Sequence, residues 1–177
     1  MNLKFETDRL ILRPLEVYDV DDFFEMNNNP NVNRYLRNPL LNKLDVEKYI
    51  NKIREEYKKN GIGRFGVILK ENNKLIGFSG LKFRANEENG HVNFYDIGYR
   101  FSEDYWRKGY AKEAALAWLE YGFKEMKLKM IHACAETENI PSNNLLKLLG
   151  FQFTNSYLVN KTLHNWYQLE NKYEPKI

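Results

Sequence analysis

The side chains of this chain that can do chemistry gather in two short stretches. The first is Y-D-I-G-Y-R-F-S-E-D-Y-W-R-K-G-Y-A-K-E-A, residues 95–114. It reads as a strand that passes through a short polar turn into a helix whose first turn is W-R-K-G-Y-A. The first backbone N–H groups of a helix have no internal partner, and with the helix dipole they favour an anion. Gly109 and Ala111 carry little or no side chain, so a pyrophosphate can approach the backbone there, with the positive charges of Arg107 and Lys108 beside it. A plain strand–turn–helix with a glycine at a tight packing point accounts for the same residues, and a run this short decides nothing alone.

The second stretch is E-N-I-P-S-N-N-L-L-K-L-L-G-F, residues 138–151. It follows a strand and opens a helix. Asn139 and Ser142 sit at the helix entrance with polar groups directed back toward the strand ends. Ordinary helix capping explains both residues equally well.

These stretches need elements to hold them. Alternating apolar and polar residues over 10–15 predict a first strand, with Pro14 near an edge or its end. Asp19 is expected to cap a short helix bearing Phe23 and Phe24. The Asn- and Pro-rich residues 27–39 read as loop. Val46, Tyr49, Ile50, Ile53 and Tyr57 share one helical face, which predicts a helix over 45–59, closed by Asn60-Gly61. Strands follow over 64–69 and 74–83, joined by a turn at Glu71-Asn72-Asn73, and again over 92–101. The longest helix is expected over 109–126. A strand over 129–135, a helix over 142–149 ending at Gly150, and strands over 151–157 and 163–170 complete the chain. The expected class is mixed α/β in a single domain spanning residues 1–177. One central, mostly antiparallel sheet of about seven strands is flanked by helices.

Composition narrows the function. A chain of 177 residues is one ordinary domain, and 43% hydrophobic with 29% charged residues is a globular profile. The net charge of +3 is too small and scattered for nucleic-acid binding, though it tolerates a polyanionic ligand. Cys134 is the one cysteine, so no internal disulfide forms; with no apolar signal region at the start, the expectation is a cytoplasmic protein. His91, His132 and His164 lack metal-ligand spacing, so no metal is expected. Cys134 reads as a small buried hydrophobe within a strand.

Taken together, the two stretches resemble the GCN5-related N-acetyltransferase superfamily, in its branch of RimJ/RimL-type ribosomal-protein N-terminal acetyltransferases. E-T-D-R-L-I-L-R-P-L and N-P-N-V-N-R-Y-L near the start are similar to that branch's first strand and first loop. D-I-G-Y, W-R-K-G-Y-A and E-N-x-x-S…L-L-G-F then follow in order. The resemblance implies a splayed sheet and acetyl-coenzyme A as cosubstrate, entering between the strand that ends at Phe101 and the one that starts near Lys129. Tyr99, Arg100 and Phe101 would pair their backbone with the pantetheine arm. Arg107, Lys108, Gly109, Tyr110, Ala111 and Lys112 would hold the pyrophosphate, and Asn139 would bind the pantetheine. Asp96 is implied as a base and Ser142 as an acid near the sulfur. Arg34 and Tyr35 are candidate acceptor contacts, with loops 27–39 and 84–90 on the acceptor side.

Two departures from the resemblance matter. Leu146 stands where many members carry a tyrosine acid, which fits an α-amine acceptor better than a polyamine. Arg107 stands where glycine is frequent. Asp96 reads equally as a solvated carboxylate or an ion pair with Arg100, and Ser142 as a cap. The expected reaction is direct attack of an amine, most readily a protein or peptide N-terminal α-amine, in a ternary complex. A small-amine acetyltransferase and a catalytically silent coenzyme A-binding module are the rivals. Monomer and homodimer both stay open.

Overall fold

The computed structural model describes residues 3–36, 40 and 42–172. In chain order its elements are β1 (Phe5–Glu6), β2 (Leu10–Arg13), α1 (Val20–Asn27), α2 (Pro30–Asn33), α3 (Lys43–Asn60), β3 (Arg64–Leu69), β4 (Lys74–Arg84) and β5 (Phe94–Phe101). They continue with α4 (Tyr110–Lys124), β6 (Met130–Glu136), α5 (Ile140–Leu148), β7 (Gln152–Val159) and β8 (Thr162–Glu170). The strands form one mostly antiparallel open sheet in the order β1-β2-β3-β4-β5-β6-β8-β7, flanked by helices. The eighth strand, beyond the seven expected, is β1. Its two residues are too short to show an alternation.

Several boundaries moved for local reasons. The first strand stops at Arg13, because Pro14 has no N–H to continue the ladder. Asp19 stands in the cap position of α1 but makes no side-chain cap bond. Its buried carboxylate instead takes both guanidinium arms of Arg13 at 2.7 and 2.8 Å and the Glu16 N–H at 2.8 Å. Part of the expected loop 27–39 is the short helix α2, capped by Asn29, whose side chain accepts from the Asn31 and Val32 N–H groups. Residues 37–39 of that loop lie outside the described residues. Helix α3 starts at Lys43 because Asn42 caps it, and Gly61 ends it at φ 68°. Helix α5 starts at Ile140 because Asn139, not Ser142, is its cap, and Gly150 follows it at φ 92°.

The chain divides into two compact units, Met1–Gly80 with Gly98–Ala117, and Leu81–Ile97 with Trp118–Ile177. In the first, β1 through β3 and the first part of β4 pair antiparallel, and all six residues of β3 are buried. Leu10, Leu12, Phe23, Ile50, Phe65 and Ile76 form its core, each removed from water at a gain of roughly 1.5–3 kcal/mol. Arg64 is buried here too. Its guanidinium donates to the Gly80 carbonyl and lies under Gly98, where a Cβ would come within 2.5 Å of it. A side chain at Gly98, the glycine of D-I-G-Y, would therefore have to push this guanidinium aside.

In the second unit, β6 pairs with β8 and β8 with β7, all antiparallel. The last part of β4 and the first part of β5 belong to the same unit. β5 meets β6 in parallel through Asp96 and His132. Trp118, Ile131, Trp166 and Tyr167 form the core. Gly122 of α4 is pressed so close that a Cβ would meet Leu81 and Ile131 at 2.8 and 2.9 Å.

His132 is 5% exposed, with its ring 4.7 Å from His91, 4.9 Å from Phe94 and 5.3 Å from Trp166. Its Nδ1 has no hydrogen-bond partner. Burial, and then the neighbouring His91, push its pKa down to about 4, against an opposing pull from Asp96. An unfolded histidine takes up a proton below about pH 6.5. Folded His132 does so only near 4, so stability is lost as pH falls through that window. His132→Phe is expected to lose less melting temperature between pH 7 and pH 4.5 than the native chain. Equal losses by circular dichroism in both proteins would count against this role.

Candidate active site

Two backbone conformations shape the start of α4. Arg107 sits at φ 60° and Gly109 at φ 83°, both left-handed, with Lys108 between them. Alternating right- and left-handed residues turn successive N–H groups toward one point, a concavity suited to an anion. The first helical bond runs from the Glu113 N–H to the Gly109 carbonyl at 3.0 Å. The N–H groups of Tyr110, Ala111 and Lys112 therefore precede the helical ladder. Arg107, Lys108, Gly109 and Lys112 are exposed, and Tyr110 is buried. These residues fit a pyrophosphate: exposed donors, a helix dipole and three cations.

This turn is held from the start of β2. Glu113 accepts the Thr7 hydroxyl at 2.5 Å, the Arg9 N–H at 2.9 Å and the Arg9 Nε at 2.7 Å. Burial opposes charge on Glu113, but these bonds win and hold its carboxyl below the usual range. The other arm of Arg9 donates to the Lys108 carbonyl at 2.9 Å, and its guanidinium lies 4.4 Å over the Tyr110 ring. A Cβ on Gly109 would stand 3.2 Å from Arg9 Nη2.

On β5, the Arg100 carbonyl lies against Gly77 of β4, where an added Cβ would be 2.4 Å from the oxygen. The Phe101 carbonyl accepts the Trp106 indole N–H at 2.8 Å. The Arg100 side chain is turned to Asn27, donating to its Oδ1 at 2.5 Å, and lies 5.0 Å over Phe78. Arg34 and Tyr35 follow α2 and stack on each other at 5.5 Å, with Arg34 exposed and Tyr35 half-buried.

In the second unit Asp96 is 6% exposed and paired bidentately with Arg84, at 3.1 Å from Nε and 3.0 Å from Nη2. Its carboxylate is thus paired with Arg84, a partner absent from the sequence reading, which weighed a base against a solvated carboxylate or an ion pair with Arg100. Burial works against the Arg84 charge, yet Asp96 raises its pKa. The Asn139 Oδ1 accepts the Ser142 N–H at 3.2 Å, which makes Asn139 a true cap and puts Ser142 in the first turn, half-buried. Leu146 is buried in the core. Cys134 is half-buried in β6, and burial pushes its thiol up to about 11, so it stays protonated at neutral pH.

A family model for the acetyltransferase (GNAT) domain matches residues 9–152. The chain belongs to the GNAT acetyltransferase family. A relative, the uncharacterized N-acetyltransferase YnaD of Bacillus subtilis (strain 168), is 36% identical over 146 residues, 82% of this chain and 81% of that protein. A crystal structure of a GNAT-family acetyltransferase from Bacillus anthracis superposes with a TM-score of 0.81 and 28% identity, covering 96% of this chain and 99% of that one. A RimL ribosomal L7/L12 alpha-N-protein acetyltransferase in complex with coenzyme A superposes at 0.80, covering 97% of this chain and 100% of that one. At 13% identity the likeness is one of fold. This GNAT chain is accordingly an acyltransferase, and its family uses acetyl-coenzyme A.

Two supports of the GNAT site escaped sequence reasoning. Arg9 and Glu113 are separated by 104 residues, and nothing local marks them as partners. Arg84 ends a strand, and the sequence reading placed it only at the start of the acceptor-side loop 84–90. Phosphate binding itself gives a direct test. Gly109→Val places a β-branched residue at a left-handed φ, against Arg9. It is expected to weaken coenzyme A binding at least about tenfold, the scale of backbone strain. Isothermal titration with an unchanged Kd would refute the loop assignment.

Proposed function

We propose that this acetyltransferase moves the acetyl group of acetyl-coenzyme A onto an amine by direct attack in a ternary complex, with a protein or peptide N-terminal α-amine as preferred acceptor. The observation that carries the cofactor half is the paired left-handed backbone at Arg107 and Gly109 before α4. In this reading Arg107 through Lys112 hold the pyrophosphate. Tyr99 and the Phe101 N–H serve the pantetheine arm and the thioester oxygen, and Asn139 adds an amide contact. Acetyl-coenzyme A supplies an acetyl thioester whose thiolate leaves at a pKa near ~8.5, so acid help is useful but not obligatory.

Direct attack is favoured over an acetyl-cysteine intermediate by the Cys134 thiol, which burial keeps protonated. In the transfer the amine nitrogen bonds to the carbonyl carbon, the carbon–sulfur bond breaks, and the amine sheds a proton. Asp96 is held on both oxygens by Arg84, so its part as base is to order the water that carries this proton away. The Ser142 hydroxyl steadies the departing sulfur. An α-amine with a pKa of about 7.7–8.0 is already partly neutral at pH 7 and needs no stronger base; a lysine amine near about 10.4 does. The core position of Leu146 supports the same acceptor, as does the fold shared with an alpha-N-protein acetyltransferase. Arg34 and Tyr35 are its proposed contacts. No helix among the described residues is long and apolar enough to cross a membrane, and a cytoplasmic enzyme fits the single unpaired cysteine.

Two measurements test this. Saturating acetyl-coenzyme A is expected to raise the melting temperature by several degrees, since ligand at about 100 times Kd adds ~2.7 kcal/mol. No shift with acetyl-coenzyme A or coenzyme A would end the reading. In competition at equal concentration, an N-terminal peptide should be acetylated ahead of its N-blocked lysine analogue and spermidine. Preference for either of the others would end the α-amine assignment alone.

A further inference from the structure

Arg100 stands on β5 directly before Phe101, and its side chain lies against α1 within the first unit. Nη1 donates to the Asn27 Oδ1 at 2.5 Å, and the guanidinium lies 5.0 Å over the Phe78 ring. That ring stacks on Phe23 at 5.4 Å, and Phe23 meets Tyr49 of α3 at 5.8 Å. The cation is half-buried against an aromatic wall, with the neutral Asn27 amide as its one hydrogen-bond partner among the described residues. It has no ion pair among them. Burial pulls its pKa down, and the one titratable group among them that acts against this is the Tyr49 hydroxyl. An amide and a ring face offset only part of what it costs to bury a cation without a counter-charge.

The guanidinium is held in one orientation. Asn27 is fully buried, its Nδ2 donates to the Phe23 carbonyl at 2.7 Å, and its own carbonyl accepts from the Asn33 side-chain amide of α2. With Nη1 bonded to Asn27, the edge formed by Nε and Nη2 has no acceptor among the described residues, and neither nitrogen is sealed from solvent. That edge carries two parallel N–H groups, the arrangement that matches both oxygens of a carboxylate. The Tyr49 hydroxyl likewise has no hydrogen-bond partner among the described residues, and its side chain is half-buried at the same aromatic wall. A preset cation edge and a neighbouring hydroxyl donor form a site for an anion.

We propose that Arg100, with Tyr49, binds a carboxylate of the acceptor and makes this acetyltransferase selective for amines that carry an anionic group near the reacting nitrogen. This rests on the amine-acetyltransferase reading and adds no chemical step to it. Arg100 precedes Phe101, whose N–H is proposed for the thioester oxygen, so a carboxylate on its guanidinium lies about one side-chain length from the reacting carbonyl. Asn27, which orients the guanidinium, opens the acceptor-side loop 27–39. An α-amine has two sources of such a carboxylate: the acid group of an amino acid itself, or an Asp or Glu next to the N-terminus of a peptide. Spermidine has neither.

Two matched pairs of acceptors test this at saturating acetyl-coenzyme A. One pair is a peptide with Asp as its second residue and the same peptide with Asn; the other is alanine and alaninamide. In the native protein the acidic member of at least one pair is expected to have a kcat/KM about tenfold to a hundredfold above its neutral partner, the size of a charge-assisted bond, with the difference in KM. The pair that shows it identifies the source of the carboxylate. In Arg100→Met that ratio should fall to within about twofold of unity, and Arg100→Lys should restore part of it. The ratio is taken within each protein, so a general loss of rate cancels. Tyr49→Phe keeps the ring, and removing its hydroxyl should lower the ratio by about two- to tenfold, the size of a neutral hydrogen bond. Equal or better use of the neutral member in both pairs, or an acidic preference that survives in both Arg100→Met and Tyr49→Phe, overturns the assignment while acetyl transfer stands. If the native protein acetylates no amine at all, both this inference and the proposed function fall.

Discussion

The Arg9–Glu113 clamp is the interaction on which the anion-directed turn depends. A helix start that aims bare N–H groups at a ligand is repelled by its own geometry, because several parallel donors converge with no acceptor among them. Left alone, such a turn relaxes. Here Glu113 is bound by Thr7, the Arg9 N–H and the Arg9 guanidinium, which fixes the first turn of α4 to the start of β2. The second arm of Arg9 fixes the Lys108 carbonyl. The left-handed residues on either side are thereby kept in conformations that a non-glycine such as Arg107 adopts only at a cost. Arg9 also adds its own positive charge beside the turn, so one side chain serves geometry and electrostatics together.

A different balance governs the second unit. Burying Asp96 unpaired would cost several kcal/mol; the bidentate arginine removes most of that penalty without making the pair strongly stabilising. What the pair achieves is position. Beside this pair, His132 is held neutral among aromatic rings.

Elements with strong periodicity were legible from the sequence. The apolar face of α3 and the strands on both sides of the Glu71-Asn72-Asn73 turn fall close to their expected positions, because hydrophobic spacing is a local property. Boundaries shifted where a cap or a proline acted over two or three residues, as at Asn42, Asn139 and Pro14. Asp19 was misread as a cap because its composition fits one. A half-buried arginine six residues away made a better partner for its carboxylate than a helix N–H.

The sequence by itself determined the family, the order of elements and the run of residues that forms the turn before α4. Motifs, glycines and periodicity are written in neighbouring residues, where local sterics and hydrogen bonding decide conformation. Only the tertiary structure decided which charges meet. Arg9 finds Glu113 and Asp96 finds Arg84. The Arg64 guanidinium lies against Gly98, and Tyr157 donates to Glu88. Ion pairing depends on separations of a few ångströms in space, and strand register and burial set those separations between residues that chain order keeps far apart.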